Sequence, residues 1–143
     1  MQDAPSVIRG SGFIQALVVD PYWNAGHRWR QVLWGNPALN QAYYVRALPE
    51  ARYWLSCRIT FNLLVVDGGI IDHSNRPITV AQLQRFLGWA RHAGNIRRIA
   101  VVLPPPNLTD MLPLPTRLNW VTDFVQPSDV LREVPKLVRE LAA

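Results

Sequence analysis

Two aspartates close two short apolar runs of this chain, and their types and positions are the ones best suited to chemistry. Ala16–Val19 leads into Asp20, and Leu63–Val66 leads into Asp67. Each run has the composition of a buried strand in a parallel sheet. Ligands of open α/β sheets collect at the carboxyl ends of the strands, so both carboxylates are expected to face one crevice. There they could bind a metal ion or a partner's cation, or simply accept hydrogen bonds from nearby backbone amides.

Strands and helices are predicted to alternate, which indicates a parallel sheet covered on both faces. We predict strands at 13–19, 41–48, 63–66, 98–103 and 120–125, and helices at 24–34, 49–59, 79–94 and 128–141. Residues 1–12 are expected to be a flexible lead-in, and 13–143 one domain. Five prolines between 104 and 118 argue against a long helix in that segment. Pro135 is expected to kink or split the last helix.

Local signals mark several helix ends. Thr79 and Gln82 have the spacing of a capping box, in which each side chain bonds the other residue's backbone amide. Asn24 is a candidate N-cap of the first helix, and Gly35 is a candidate stop signal for the same helix.

Composition limits the class of protein. The chain has 143 residues, of which 49% are hydrophobic and 17% charged, as in globular domains. No apolar run approaches the roughly 20 residues that span a bilayer. Cys57 is the single cysteine, so no internal disulfide can form. Because the sequence has neither disulfides nor the pattern of a secretory signal, we expect a cytoplasmic protein. The net charge is +5, and Lys136 is the one lysine among 15 cationic residues. Arginines bind phosphate, but a nucleic-acid-binding module would need them on one contiguous face.

These landmarks resemble the receiver domains of two-component response regulators over residues 13–142. In that resemblance Asp67 stands at the phosphoacceptor position, and Asp20 at the first of two magnesium-binding acids. Phe124 stands at the aromatic switch position, and Gln126, before a proline, stands where the family has a lysine. The resemblance implies a flavodoxin-like, doubly wound α/β fold with five parallel strands in the order 2-1-3-4-5. An irregular proline-rich segment would replace much of its fourth helix.

Departures from the receiver pattern fall on the residues that carry its chemistry. Pro21 replaces the second magnesium-binding acid, Leu103 replaces the hydroxyl residue after the fourth strand, and Gln126 replaces the lysine. Phosphoryl transfer depends on magnesium and fixed cations that hold the charge developing on the phosphoryl oxygens. We therefore expect Asp20, Asp67, Leu103 and Gln126 to form a vestigial phosphoacceptor pocket. We expect it to have no catalytic residue, cofactor or resident metal, with Asp20 and Asp67 the candidates for any remaining metal binding.

The resulting hypothesis is a non-enzymatic pseudo-receiver that acts as a protein–protein interaction module in signal transduction. The candidate interface comprises Met111, Leu112, Leu114 and Phe124, together with the last helix. The expected partner is a signalling protein, an output domain or a second copy of this chain. We expect neither a membrane partner nor nucleic acid for the domain itself. Alternatives are an atypical receiver phosphorylated on Asp67, a nucleic-acid-binding module that uses arginine and tryptophan, and a small-molecule sensor.

Overall fold

The computed structural model describes most of the chain. It describes residues 6–22, 25–57, 59–69, 72, 74, 76, 78–93, 96–103 and 120–143. Within these ranges the elements are β1 Ser6–Arg9, β2 Ile14–Val19, α1 Ala25–Leu33, β3 Leu39–Val45, α2 Leu48–Ser56, β4 Leu63–Asp67, α3 Val80–Ala93, β5 Arg98–Val102, β6 Asp123–Val125 and α4 Val130–Ala142. The proline segment at 104–118, with Met111, Leu112 and Leu114, lies outside the described residues, as does Asn24.

The described strands form a single sheet in the order β1-β3-β2-β4-β5-β6. The pairs β3-β2, β2-β4, β4-β5 and β5-β6 are all parallel. The prediction of five strands is wrong by one, because Ser6–Arg9 adds an antiparallel strand beside β3. Residues 6–9 of the expected lead-in therefore form a strand. The short run has little strand character of its own, and backbone pairing with β3 together with the burial of Ile8 stabilises it.

Side chains alternate between two apolar layers across the sheet. One layer, which includes Ala16 and Val18, packs against Trp29 of α1 and Val134 of α4. The other layer lies on the opposite face, where Leu17 and Val19 share a cluster with residues of α2 and α3. Both faces are thus covered by helices, as the alternating pattern predicts.

The predicted capping and stop signals take the expected form. The backbone N–H of Thr79 donates to Gln82 Oε1 (2.8 Å), and the backbone N–H of Gln82 donates to Thr79 Oγ1 (3.1 Å). Gly35 follows α1 with a φ of 76°, a left-handed conformation that favours glycine at a helix end. The last helix is continuous through Pro135, so the split that the sequence allowed does not occur.

Two further contacts hold the sheet and its flanking segments together. Arg98 of β5 pairs with Asp123 of β6 (2.9 Å) and with Glu140 of α4 (2.7 Å), which joins three elements. Gly12, between β1 and β2, donates its N–H to the carbonyl of Leu39 (2.8 Å). A Cβ at this position would lie 2.2 Å from the carbonyl oxygen of Ala38, so only glycine allows this approach.

Candidate functional site

The strand register brings the residues singled out in the sequence to one edge of the sheet. Val19 of β2 pairs with Val66 of β4, so Asp20 and Asp67 follow neighbouring positions in adjacent strands. Asp67 pairs with Val102 of β5, and Leu103 follows it. The backbone N–H of Leu103 donates to the carbonyl of Val125 in β6 (2.8 Å), and Gln126 comes next in the chain. Asp20, Asp67, Leu103 and Gln126 therefore occupy the carboxyl ends of four consecutive strands.

Asp20 is fully buried, and protein donors occupy both of its carboxylate oxygens. Oδ1 accepts the backbone N–H of Tyr22 at 3.0 Å. Oδ2 accepts the Arg28 guanidinium at 2.9 Å and the Trp29 indole N–H at 2.8 Å. The alternation of side chains along β2 directs Asp20 toward the α1 layer. Arg28 and Trp29 are consecutive residues of α1 and can both reach the carboxylate from that helix.

The Asp20–Arg28 pair bears on the magnesium ion that the resemblance to receiver domains implies. Mg²⁺ requires near-octahedral oxygen ligands and binds proteins through one or two carboxylates plus waters. At this edge one carboxylate is already paired with a guanidinium and an indole, and Pro21 supplies no acidic side chain. Within the described residues, no group of three or more His, Cys, Asp or Glu residues is placed to hold a metal ion. The donor set therefore does not fit a resident magnesium ion.

Asp67 has a different environment from Asp20, although it is also buried, with 4% of its surface exposed. Its Oδ1 accepts the backbone N–H of Gly69 at 2.8 Å, the amide contact that the sequence allowed for both aspartates. No cation pairs with Asp67 in the part of the chain that the structure describes. Burial and the charge of Asp20 raise the pKa of Asp67 to about 7, against the opposing effects of the Gly69 hydrogen bond and Arg28.

Two tyrosines flank the aspartates. The hydroxyl of Tyr44 donates to the backbone carbonyl of Asp20 at 3.0 Å. Burial, with the charge of Asp20 next in size, raises the pKa of Tyr44 to about 12. Burial and the charge of Asp67 also raise the pKa of Tyr22, whose hydroxyl lies beside Gly69. Both phenols therefore stay protonated at neutral pH, and Tyr44 donates its hydroxyl proton to the sheet edge.

The remaining candidate positions carry no charge. Leu103 is half-buried, and Gln126 is exposed at the start of the turn that precedes α4. Phe124 is 40% exposed on β6, the last strand in the sheet order. Its neighbour Val125 belongs to the α1–α4 layer, so Phe124 faces the opposite side of the sheet from α4.

Arg28, Trp29 and the two tyrosines are the residues of this site that the sequence reasoning did not assign to it. Trp29 appears in the sequence as an apolar contact at helical spacing from Leu33, and Arg28 as one of many arginines. The order of elements does contain a signal for these contacts. The helix that follows a strand starts at the carboxyl edge of the sheet, so side chains of its first turns can reach the last residue of that strand. The pairing of Arg28 with Asp20 is the simplest case of that geometry.

Comparisons with known proteins support the fold. No protein-family model matches the chain, and no curated protein matches it in sequence. A solved adenylate cyclase from Rhodopirellula baltica is similar in structure, with a TM-score of 0.61 at 13% identity over 90% of this chain and 88% of that one. The REC domain of AraT, a response regulator from Geobacillus stearothermophilus, has a TM-score of 0.60 at 19% identity, over 89% of this chain and 93% of that one.

A third solved structure extends the likeness to another response regulator. RcsB of Salmonella typhimurium, studied for its conformational dynamism in DNA interaction, has a TM-score of 0.53 at 13% identity. The match covers 92% of this chain and 60% of RcsB. These likenesses show that the chain has a receiver-like α/β fold. A separate finding is that no helix among the described residues is long and apolar enough to cross a membrane.

Proposed function

We propose that this protein is a pseudo-receiver: a non-enzymatic, phosphorylation-independent interaction module of signal transduction. The observation that carries the proposal is the ion pair between Arg28 and Asp20 at 2.9 Å. A cation of the chain itself lies on the carboxylate that would bind magnesium in a working receiver. The receiver-like fold supports the signalling role, and the filled carboxylate supports independence from phosphorylation.

Phosphoryl transfer to Asp67 would meet three obstacles at this edge. A metal ion could bind Asp20 only by displacing Arg28 and Trp29 from its carboxylate. That displacement would break the charge-assisted hydrogen bond with Arg28, which compensates the burial of the Asp20 charge. Leu103 and Gln126 offer neither a hydroxyl nor a fixed cation to the phosphoryl oxygens. The raised pKa of Asp67, about 7, leaves a substantial fraction of the nucleophile protonated at neutral pH. Each obstacle favours a fixed conformation over a phosphorylation switch.

The output of such a module is a permanently presented surface. Phe124 is exposed, and we propose that it contributes to an interface with Met111, Leu112 and Leu114 of the proline segment. Prolines leave a segment little conformational freedom to lose on binding, which favours a preformed docking surface. The proposed partner is a cytoplasmic signalling protein, an output domain or a second copy of this chain.

The test of the chemistry is incubation with acetyl phosphate and millimolar Mg²⁺, followed by intact-protein mass spectrometry. We expect no added phosphoryl group on the wild type, and no magnesium-dependent rise in melting temperature. A ligand at 100 times its Kd would stabilise the fold by about 2.7 kcal/mol, which a melting curve resolves. A phosphoryl group that disappears in Asp67→Asn would show an atypical receiver instead. Arg28→Ala is the matched variant, because magnesium-dependent stabilisation confined to it would identify Arg28 as the blocking cation.

The test of the surface uses the association state and partner capture of single serine variants. Replacement of Met111, Leu112 or Leu114 by serine should weaken any detected self-association or capture. Phe13→Ser is the control, because Phe13 is 89% exposed and precedes β2, at the opposite end of that strand from Asp20. If every association survives all three replacements, the interface lies elsewhere on the molecule.

A further inference from the structure

Arginines on the two helical layers of this protein differ in how they are neutralised. On α4, Arg132 pairs with Asp129 and Glu133, and Lys136 pairs with Glu140, whereas Arg139 has no carboxylate partner among the described residues. Helix α3, Val80–Ala93, has two arginines and no acidic residue. Within the described residues, neither Arg85 nor Arg91 has a carboxylate partner. Helix α2 contributes Arg52 and one acid, Glu50 in its first turn, so the described part of the α2–α3 layer has more arginines than acids on its helices.

Aromatic rings lie between these charges. Arg52 of α2 stacks over Trp89 of α3, with its guanidinium carbon 5.0 Å from the ring centroid, and it lies 5.5 Å from the centroid of Phe86. The next residue, Tyr53, is 60% exposed. Arg85 lies four residues before Trp89, so the two side chains are neighbours on the helix surface.

A tryptophan from a distant part of the chain extends the same face. Trp120 packs edge-on against His92 with ring centroids 5.0 Å apart, while 45% of its surface stays exposed. A Cβ on Gly88 would lie 3.2 Å from the Trp120 indole nitrogen, so the small residue makes room for the ring. Trp120 also has a φ of 76°, which is unfavourable for a bulky residue. The fold thus holds a half-exposed ring against α3 despite a backbone cost.

We propose that this arginine–aromatic surface binds single-stranded nucleic acid. The surface is defined by six side chains: Arg52, Tyr53, Arg85, Trp89, Arg91 and Trp120. Guanidinium groups bind phosphates along a backbone, and exposed rings stack on unpaired bases without sequence preference. Arg52 of α2 and Arg85 and Arg91 of α3 place three cations on two helices that pack together, and the rings of Trp89 and Trp120 contact the same pair of helices.

The composition of the surface favours a nucleic acid over an acidic peptide. Carboxylates of a peptide would pair with the arginines, but they offer no flat partner for Tyr53, Trp120 or the outer face of the stacked Arg52. A single strand engages charges and rings together, whereas base-paired DNA keeps its bases stacked inside the duplex. This proposal does not depend on the pseudo-receiver proposal, because none of the six residues belongs to the aspartate edge.

The test measures binding of fluorescein-labelled single-stranded RNA and DNA of 15 nucleotides to the full chain by anisotropy, between 50 and 200 mM NaCl. Unlabelled oligonucleotide should also quench tryptophan fluorescence, which reports stacking. The double variant Arg85→Gln/Arg91→Gln removes two phosphate contacts, so the slope of log K against log salt should become shallower by roughly 1.4. We expect Tyr53→Ala to weaken binding about fivefold or more.

The matched control is Arg132→Gln/Arg139→Gln on α4, which removes the same charge from the other layer. It should leave affinity within about twofold, and circular dichroism should show that all variants remain folded. Equal losses in both double variants would reduce the effect to general attraction by a basic protein and overturn the proposal. So would the absence of salt-dependent binding. The proposal would also be overturned if polyglutamate bound as tightly as the oligonucleotides and neither ligand quenched tryptophan fluorescence. That result would assign the surface to an acidic peptide.

Discussion

Asp67→Asn is the substitution with the sharpest physical consequence in this protein. It replaces a buried carboxylate with a neutral group of nearly the same shape. The retained side-chain oxygen can still accept the backbone N–H of Gly69, which lies 2.8 Å from Oδ1 in the wild type. The change therefore removes a charge at a site where the described residues provide no cation to balance it.

The expected magnitude follows from the pKa of Asp67, which is about 7 in the fold against an ordinary value of 3.8. A group whose folded pKa is raised binds its proton more tightly in the folded state, so stability falls as pH rises through this window. Each unit of pKa difference corresponds to about 1.4 kcal/mol, which amounts to about 4 kcal/mol in total. Asparagine avoids this loss. Asp67→Asn should therefore be close to neutral near pH 4 and more stable than wild type by up to about 4 kcal/mol at pH 8.

The assay is urea unfolding of both proteins at several pH values between 4 and 8, with the difference in unfolding free energy plotted against pH. Taking the difference cancels the titration of groups that the two proteins share. A difference that grows with pH and levels off above pH 7 is the expected result. Parallel curves, or a variant that is less stable than wild type at pH 8, would show that Asp67 does not carry an unbalanced charge in the folded protein.

Asp20→Asn is a companion substitution with the opposite expected sign, and it also removes a charge that raises the pKa of Asp67, so it is measured apart from the Asp67 series. Asp20 accepts hydrogen bonds from Arg28 and Trp29, and the substitution removes the counter-charge of Arg28. Arg28 is 42% exposed and retains access to water, which limits the expected loss to about 2 kcal/mol at pH 8. Two aspartates at the same sheet edge would then contribute to stability with opposite signs.

Two further substitutions test the framework. Arg98→Ala should destabilise the protein by about 1–3 kcal/mol in urea unfolding, because it removes the ion pairs with both Asp123 and Glu140. Glu140→Gln keeps the Arg98–Asp123 pair and should have a smaller effect. Equal effects of the two substitutions would contradict this account. Gly12→Ala should destabilise the protein by about 1–3 kcal/mol, because the added Cβ would clash with the carbonyl of Ala38. Ser11→Ala, at an exposed neighbouring position, should leave the melting temperature unchanged. An unchanged melting temperature for Gly12→Ala would show that the turn can shift.

Local sequence signals located most of the elements. The apolar runs ending in Asp20 and Asp67 became β2 and β4, and the Thr79–Gln82 pattern formed the reciprocal cap of α3. These features depend on residues close together in the chain, where periodicity and capping preferences act directly. The placement of both aspartates at one sheet edge follows from the same logic, because parallel strands end on the same side.

Ser6–Arg9 and Pro135 show where local signals were insufficient. The first forms a strand because β3 offers an unpaired edge, and no pattern within four residues announces such an edge. The second stays inside a continuous helix whose apolar face is buried against α1 and the sheet. In both cases packing between distant segments outweighed the local preference of the residues.

The properties of Asp20 and Asp67 were likewise predictable only in part from the residue order. The order of residues was enough to predict that a receiver-like edge would lack an acid at Pro21, a hydroxyl at Leu103 and a lysine at Gln126. The folded arrangement was needed to show that Arg28 neutralises Asp20, whereas no cation pairs with Asp67 among the described residues. Residue types are local properties that a sequence states directly. The pKa and partner of a buried charge depend on desolvation and on groups that arrive from other elements, and these are fixed only when the chain folds.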